Sequence, residues 1–202
     1  MTRKKPYHSE VIDHLRRVIS NIQVAIGNGQ KSILITSAVA GEGKTFVACN
    51  LAAMLADGGK DTLLIDFNQH NPGVHTYFDL SNTNGISDYL TRDIPYSNTV
   101  TQGRYRLGLI TSGSWRVNFN TLLDSARCRE LLADAKEEYD YIIIDTPAIA
   151  EAADGLILAR YVDTSIFVVQ AGRPDLKETI QSKEALARVN PHILGVIVNK
   201  AG

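Results

Sequence analysis

The chain has 202 residues, of which 44% are hydrophobic, so it can form one α/β domain with a full core and no disulfide bonds. Its 21 basic and 22 acidic residues give a formal net charge of -1, which argues against nucleic acid as a partner because nucleic-acid-binding domains are usually basic. The two cysteines are isolated, and no signal peptide or membrane-spanning apolar run is present, which predicts a cytoplasmic protein without direct membrane insertion.

The first predicted element is an amphipathic helix over residues 10–26. Its apolar side chains recur at spacings of three and four residues, and Gly27-Asn28-Gly29 marks its end. We expect residues 1–29 to form a helical extension of a single nucleotide-binding domain that spans residues 1–202.

The next segment has the order strand, glycine-rich turn and helix. An apolar run over residues 32–37 is predicted as a buried strand, the turn follows over residues 38–45, and a helical pattern continues to residue 55. This order and the ending Gly43-Lys44-Thr45 are typical of a P-loop, although Ala38 stands where the usual pattern has its first glycine. A chance match in an ordinary loop is the alternative, and the flanking strand and helix argue against it.

A P-loop predicts a site for ATP or ADP with Mg²⁺. Backbone N–H groups of the turn and of the helix N-terminus surround the phosphates, while the lysine ammonium reaches the β and γ oxygens and the threonine hydroxyl binds the metal ion. The predicted nucleotide-binding residues are Ala40, Gly41, Glu42, Gly43, Lys44, Thr45 and Phe46.

A second buried strand is predicted over residues 62–67, with Asp66 near its end. From residue 68 to residue 103 the sequence is polar and rich in turn residues, with one short helical piece at 86–90. We expect this excursion to be flexible and to face the nucleotide.

The rest of the chain alternates between apolar strands and helices. The predicted elements are strand 107–111, a loop with Trp115 and Asn118, helix 121–138, strand 141–145, helix 151–161, strand 165–169, helix 175–189 and strand 193–198. Because the strands are continuously apolar, the pattern predicts a doubly wound α/β fold, with a mostly parallel sheet covered by helices on both faces.

Asp66 and Asp145 each end a predicted strand, so both should lie at the sheet edge where Lys44 begins the P-loop helix. Carboxylates at that edge can hold a metal ion or orient a nucleophile, and Thr45 supplies a hydroxyl. We therefore predict Lys44, Asp66 and Asp145 as catalytic residues, and Thr45, Asp66 and Asp145 as metal ligands. The alternative for each aspartate is that it caps the turn after its strand.

Three stretches resemble the bacterial tyrosine kinases, or BY-kinases, which are P-loop proteins of capsule and exopolysaccharide assembly. They are residues 35–45, 63–72 and 139–147, which read ITSAVAGEGKT, LLIDFNQHNP and YDYIIIDTP. Weaker similarity to the family continues between and beyond these stretches, so the resemblance covers nearly the whole chain.

The resemblance implies an ATP-dependent kinase that acts on tyrosines. Lys44 would contact the phosphates, Thr45 and Asp66 would lie at the metal ion, and Asp145 would be the Walker B aspartate. Asn199, just past the last predicted strand, would lie near the adenine. The implied partner is a membrane-embedded polysaccharide co-polymerase or activator protein, which would recruit the chain to the inner face of the cell membrane.

Two departures from the family pattern bear on catalysis. The family motif Asp-x-Asp-x-Arg reads Asp66-Phe67-Asn68-Gln69-His70 here, and the amide of Asn68 cannot accept a proton as a carboxylate does. The tyrosine-rich tail of the family has no counterpart, since the last tyrosine of this sequence is Tyr161. Two interpretations follow: a weak or inactive kinase that acts as a nucleotide-gated regulator, or an active kinase.

Two further positions concern assembly and class. The N-terminal helix of the family carries Glu, Arg and Arg for self-association, and the matching residues here are Asp13, Arg16 and Ile19, which predicts a monomer or weak oligomer. Partitioning-like P-loop ATPases, which position a cellular cargo, are the alternative class. They use a lysine near the start of the loop, where this chain has Val39.

Overall fold

The computed structural model describes residues 12–26, 29–92, 94–114, 120–172, 176–190 and 192–200. Its helices are α1 (Ile12–Ala25), α2 (Lys44–Asp57), α3 (Val74–Phe78), α4 (Ile86–Thr91), α5 (Asn120–Leu123), α6 (Ala126–Glu138), α7 (Asp154–Ala159) and α8 (Leu176–Val189). Its strands are β1 (Ser32–Ser37), β2 (Thr62–Asp66), β3 (Thr101–Gln102), β4 (Leu107–Ile110), β5 (Tyr141–Asp145), β6 (Thr164–Gln170) and β7 (Ile193–Asn199).

The strands form one sheet in the order β3-β4-β2-β5-β1-β6-β7. Every neighbouring pair runs parallel except β3 with β4. The central strands β1, β2 and β5 are almost entirely buried, because helices cover both faces of the sheet. The predicted doubly wound, mostly parallel α/β fold is confirmed.

Two hydrophobic cores, one on each face of the sheet, hold the helices in place. On one face α2 contributes buried side chains such as Leu51 and Leu55. On the other face α6 and α7 contribute Leu131 and Leu158. Each fully buried leucine contributes about 1.5–3 kcal/mol, so these layers fix the sheet edge at which β1, β2 and β5 end.

Helix α1 packs its apolar stripe on the same chain. The side chains that contact the core beside α2 are Val18, Ile19, Ile22 and Ile26. Residues 1–11 and the side chain of Asp13 lie outside the described residues. The division into one domain over residues 1–202, with an extension over residues 1–29, stays a prediction.

We expect the isolated chain to be a monomer or a weak oligomer. From Val18 onward the apolar stripe of α1 is covered by the chain's own core, and Ile19 packs there instead of offering a cation to a second copy. Light scattering at micromolar concentration should give the mass of one chain, or a mass that falls toward it on dilution. The control is Val24→Asp, which alters an 85% exposed side chain of α1 and should leave the mass unchanged. A multimer that survives dilution would contradict this expectation.

Two predicted helices differ in the structure. The helix predicted over 121–138 is two helices, α5 and α6, because the Ser125 hydroxyl accepts a hydrogen bond from the N–H of Cys128 at 3.2 Å and caps α6. The helix predicted over 151–161 is shorter, since α7 begins at Asp154. The strands that were predicted begin and end within one residue of their predicted bounds.

The excursion over residues 68–103 contains more structure than predicted. Besides α4 it has α3 and a 3-10 turn, and its end pairs with β4 as the short strand β3. Asp66 organises the start of α3, as described below. The loop residues Trp115 and Asn118 lie outside the described residues.

Candidate nucleotide-binding site

The P-loop joins β1 to α2. Gly41 and Gly43 have φ angles of 79° and 91°, in the left-handed region that glycine adopts without strain. A Cβ atom at Gly43 would overlap the side-chain amide of Asn199, so this position needs glycine for space as well. Helix α2 begins at Lys44, and the N–H groups of its first turn are available to an anion at this end.

The side chain of Glu42 points into the protein and braces the P-loop. It is 1% exposed, its Oε2 accepts a hydrogen bond from the N–H of Val39 at 3.1 Å, and its Oε1 accepts one from the N–H of Gln170 at 3.2 Å. The carboxylate therefore ties the loop to the end of β6. Glu42 was predicted to bind the nucleotide, and in this arrangement its backbone remains for that role.

The end of β7 supports the P-loop from the same side. The Asn199 amide donates a hydrogen bond to the carbonyl oxygen of Glu42 at 2.9 Å, and the Lys200 ammonium donates one to the carbonyl oxygen of Gly41 at 2.7 Å. Asn199, predicted to lie near the adenine, thus contacts the loop itself, and its contact with the base stays a prediction. Sequence reasoning missed Gln170 and Lys200.

We expect Glu42→Gln to lower the free energy of unfolding by about 1.5–3 kcal/mol, the range for hydrogen bonds to a charged group. The amide can accept only one of the two N–H bonds, and its own N–H₂ group would face the other donor. Denaturant unfolding without nucleotide measures the effect. Glu137→Gln, at an exposed position on α6, is the control. Equal stabilities of both variants would show that the brace contributes nothing.

Asp145 contacts the first turn of α2 through Thr45. The Thr45 hydroxyl donates a hydrogen bond to Asp145 Oδ2 at 2.6 Å, and the second oxygen, Oδ1, is buried without a hydrogen-bond partner. Asp66 is paired with Asp145 in the register of β2 and β5. Burial, followed by repulsion from Asp66, raises the pKa of Asp145, whereas the Thr45 hydroxyl and the Lys44 ammonium oppose that rise.

These residues fit a divalent cation. A buried carboxylate oxygen without a partner, a hydroxyl and a second carboxylate lie together at the helix N-terminus where phosphates would bind. Mg²⁺ is commonly held by one or two carboxylates while substrate phosphates and water complete its shell. The structure therefore brings Thr45, Asp66 and Asp145 together as predicted, and their role as metal ligands stays a proposal.

Asp66 also organises the loop that follows it. Its Oδ1 accepts the N–H of Asn68 at 2.9 Å, and its Oδ2 accepts those of Gly73 and Val74, both at 3.1 Å. Burial nevertheless raises the pKa of Asp66, although these hydrogen bonds lower it. Asp66 thus caps the turn after its strand. Its carboxylate would therefore contact a metal ion through a water molecule, or directly after this loop rearranges.

Asn68 is committed to the same turn. Its side-chain oxygen accepts the N–H of Asn71 at 3.1 Å, and the residue is buried. The loop then closes against the P-loop helix, since a Cβ atom at Gly73 would lie 2.8 Å from the methyl group of Thr45. The position at which the family has its second aspartate is bonded through its backbone N–H to Asp66, one of the predicted metal ligands.

A further carboxylate, Asp154, faces this loop, and sequence reasoning did not assign it to the site. It is buried, Gln69 Nε2 donates to its Oδ2 at 3.5 Å, and the imidazole of His70 lies 3.8 Å from the same oxygen. Its Oδ1 has no hydrogen-bond partner, and burial raises its pKa. The signal available in the sequence was its place at the start of a helix after the Asp145 strand.

The two remaining predicted residues lie at the ends of the predicted nucleotide-binding stretch, residues 40–46. Ala40 is exposed in the turn. Phe46 lies in the first turn of α2, where its ring meets that of Tyr77 edge to face with centroids 6.3 Å apart. Their backbone positions agree with a phosphate-binding loop, and their contacts with a nucleotide stay predictions.

Comparison with known proteins gives concordant results. A family model described as AAA domain matches residues 30–184. Tyrosine-protein kinase YwqD of Bacillus subtilis (strain 168) is 38% identical over 98% of this chain and 84% of that protein. The solved kinase domain of Escherichia coli tyrosine kinase ETK matches with a TM-score of 0.89 and 29% identity, over 98% of this chain and 82% of that chain.

The septum site-determining protein MinD of Pyrococcus horikoshii OT3, solved with Mg-ADP, matches with a TM-score of 0.71. The two chains are 22% identical, and the match covers 86% of this chain and 71% of the MinD chain. This similarity shows a common P-loop fold and nothing more specific. The partitioning-like alternative gains no further support from it. With a relative at 38% identity along nearly its whole length, the chain belongs to the bacterial tyrosine kinase family.

Proposed function

We propose that this chain binds Mg-ATP and regulates capsule or exopolysaccharide synthesis as a tyrosine kinase in which transfer of the γ-phosphoryl group to tyrosine hydroxyls is slow or lost. The observation that carries the proposal is the hydrogen bond from the half-buried Thr45 to the fully buried Asp145, whose other carboxylate oxygen is left without a partner at the P-loop. Family membership supplies the reaction class.

The chain's own residues account for binding and orientation. The P-loop N–H groups and the Lys44 ammonium stabilise phosphate oxygens, and the bracing contacts of Glu42 and Lys200 keep the loop in place before the nucleotide arrives. Mg²⁺, when bound by Thr45 and Asp145, would neutralise charge on the β and γ phosphates. Phosphoryl transfer depends mostly on such positioning and charge stabilisation.

Asn68 limits turnover in this proposal. An amide keeps the turn of the second aspartate in the family motif, because its oxygen can still accept the N–H of Asn71. It cannot carry the negative charge that would hold a metal-bound water or receive the proton of a phenol. Losing a general base typically costs about 10²–10⁴ in rate, so nucleotide binding would persist while transfer becomes slow.

A membrane-embedded partner is the second part of the proposal. Among the described residues, none of the helices has the length and apolar character needed to cross a bilayer. We therefore expect the chain to reach the inner face of the cell membrane through a co-polymerase or activator protein. Fractionation should place it with the membrane when that partner is co-expressed, and in the supernatant when the partner is deleted.

Radiolabelled ATP and an exogenous tyrosine peptide test the activity. Labelling of the peptide tyrosine that is faster than with the Lys44→Met variant would support the kinase function. Release of free phosphate without labelled tyrosine would instead indicate an ATPase. Nucleotide binding with neither product would leave a binding switch as the function.

A further inference from the structure

The tyrosines of this chain differ sharply in exposure. Tyr7 lies outside the described residues. Among the others, Tyr105 is 65% exposed, whereas the side chains that are buried or partly buried are Tyr77, Tyr89, Tyr96, Tyr139, Tyr141 and Tyr161. A phosphate acceptor must place its whole phenol beside a bound nucleotide, so exposure is the first requirement for modification.

The partly or fully buried tyrosines are held by the fold. The Tyr89 hydroxyl donates to the carbonyl oxygen of Arg127 at 3.1 Å, and the Tyr161 hydroxyl bonds to the carboxylate of Asp124. The hydroxyls of Tyr77 and Tyr96 are enclosed in the protein interior. Presenting the phenol of Tyr77, Tyr89 or Tyr96 to another molecule would require local opening of the structure, and Tyr161 would have to release Asp124.

Tyr105 stands at the tip of the turn between β3 and β4. The base of this turn is closed by a hydrogen bond from the N–H of Gly103 to the carbonyl oxygen of Leu107 at 2.7 Å. Arg106 anchors it to the start of β2, through an ion pair with Asp61 at 2.8 Å. The hydroxyl of Tyr105 makes no hydrogen bond with the described residues, so the phenol is presented on a fixed base.

The position of the turn decides which active site can reach this phenol. β4 runs parallel to β2, and the turn precedes β4, so Tyr105 lies at the sheet edge opposite to the P-loop. The four residues of β4 alone span about 13 Å. A molecule therefore cannot bring its own Tyr105 to Lys44 without dismantling its sheet.

We propose that Tyr105 is a phosphorylation site of this chain and that a second copy modifies it in trans. The phenolic oxygen forms a bond to the γ-phosphorus of ATP, the bond from that phosphorus to the β,γ-bridging oxygen breaks, and ADP leaves with the electron pair. The phenolic proton passes to water. Arg104 and Arg106 flank Tyr105 in the sequence, and their positive charges would favour the negative charge of the new phosphate. The proposal rests on the proposed kinase function.

A mixing experiment tests the site. The Lys44→Met chain serves as substrate, and the unmodified chain and Asn68→Asp serve as donors in parallel reactions with labelled ATP. Mass spectrometry should locate phosphate on Tyr105 of the substrate chain. A Lys44→Met, Tyr105→Phe substrate should carry label that is at least about ten-fold lower, because the other described tyrosines are buried or partly buried. Tyr161→Phe in the same background is the control and should keep its label.

Kinetics and a second substrate separate this proposal from the kinase function. For the unmodified chain alone, the initial rate of Tyr105 labelling should rise with the square of the protein concentration, and Tyr105→Phe should still phosphorylate a Glu/Tyr copolymer normally. Labelled copolymer with no label on Tyr105, or label confined to Tyr7, would overturn the site and leave the kinase function intact. No label on either substrate from either donor would overturn both.

Discussion

Replacing Lys44 with methionine should remove the thermal stabilisation that Mg-ADP gives to this chain. A ligand at 100 times its dissociation constant stabilises a protein by about 2.7 kcal/mol, which should raise the melting temperature of a domain of this size by roughly 5–10 °C. The ammonium group of Lys44 lies at the start of α2 and near Asp145, where the phosphates would bind. Methionine keeps an unbranched side chain that is one atom shorter and removes the charge.

The control for this experiment is Lys183→Met. Lys183 is exposed on α8, so its replacement removes the same charge without touching the P-loop. The Lys183→Met protein should show the full shift with Mg-ADP. A full shift in Lys44→Met as well would refute the assignment of the phosphate site, whatever the fold of the chain.

Asn68→Asp should raise phosphorylation of an exogenous tyrosine peptide at least ten-fold, a small part of the 10²–10⁴ that a general base typically contributes. The new carboxylate can still accept the N–H of Asn71, so the turn should be preserved. It adds a negative charge in the turn that Asp66 caps, near the predicted metal site, where a metal ion or a phenolic proton could use it. Steady-state rates at saturating Mg-ATP measure the gain.

Asn71→Asp is the matched control, because it places the same charge in the same loop at an exposed position. It should leave both peptide phosphorylation and the melting shift with Mg-ADP unchanged. Asn68→Asp should also leave that shift unchanged, since Lys44, Thr45 and Asp145 are intact. Rapid phosphorylation by the unmodified chain would show that an amide at position 68 is compatible with catalysis.

Val39 provides a structural contrast with partitioning-like ATPases. In that class a lysine near the start of the loop reaches across a dimer. Here Val39 packs against the core, and its N–H is bonded to the Glu42 carboxylate within the same P-loop. The residue at position 39 thus makes contacts within its own chain, which favours the kinase interpretation over the partitioning one.

The sequence alone was sufficient to predict the sheet, the P-loop and the positions of Asp66 and Asp145 at the ends of their strands. Buried parallel strands are continuously apolar, and a chain that alternates such strands with helices has few ways to cover both faces. Asp66 and Asp145 each end a strand, so the parallel register brings them side by side. These inferences held because periodicity and strand direction are local properties of the chain.

Only the tertiary structure decided what the polar side chains around the P-loop do. Glu42 accepts a hydrogen bond from Gln170, which is 128 residues away, and Gly41 is held by Lys200, 159 residues away. Asp66 combines its place at the predicted metal site with capping of the next turn. A buried carboxylate takes whichever donors the packing of distant strands brings to it, and sequence spacing carries no information about those donors.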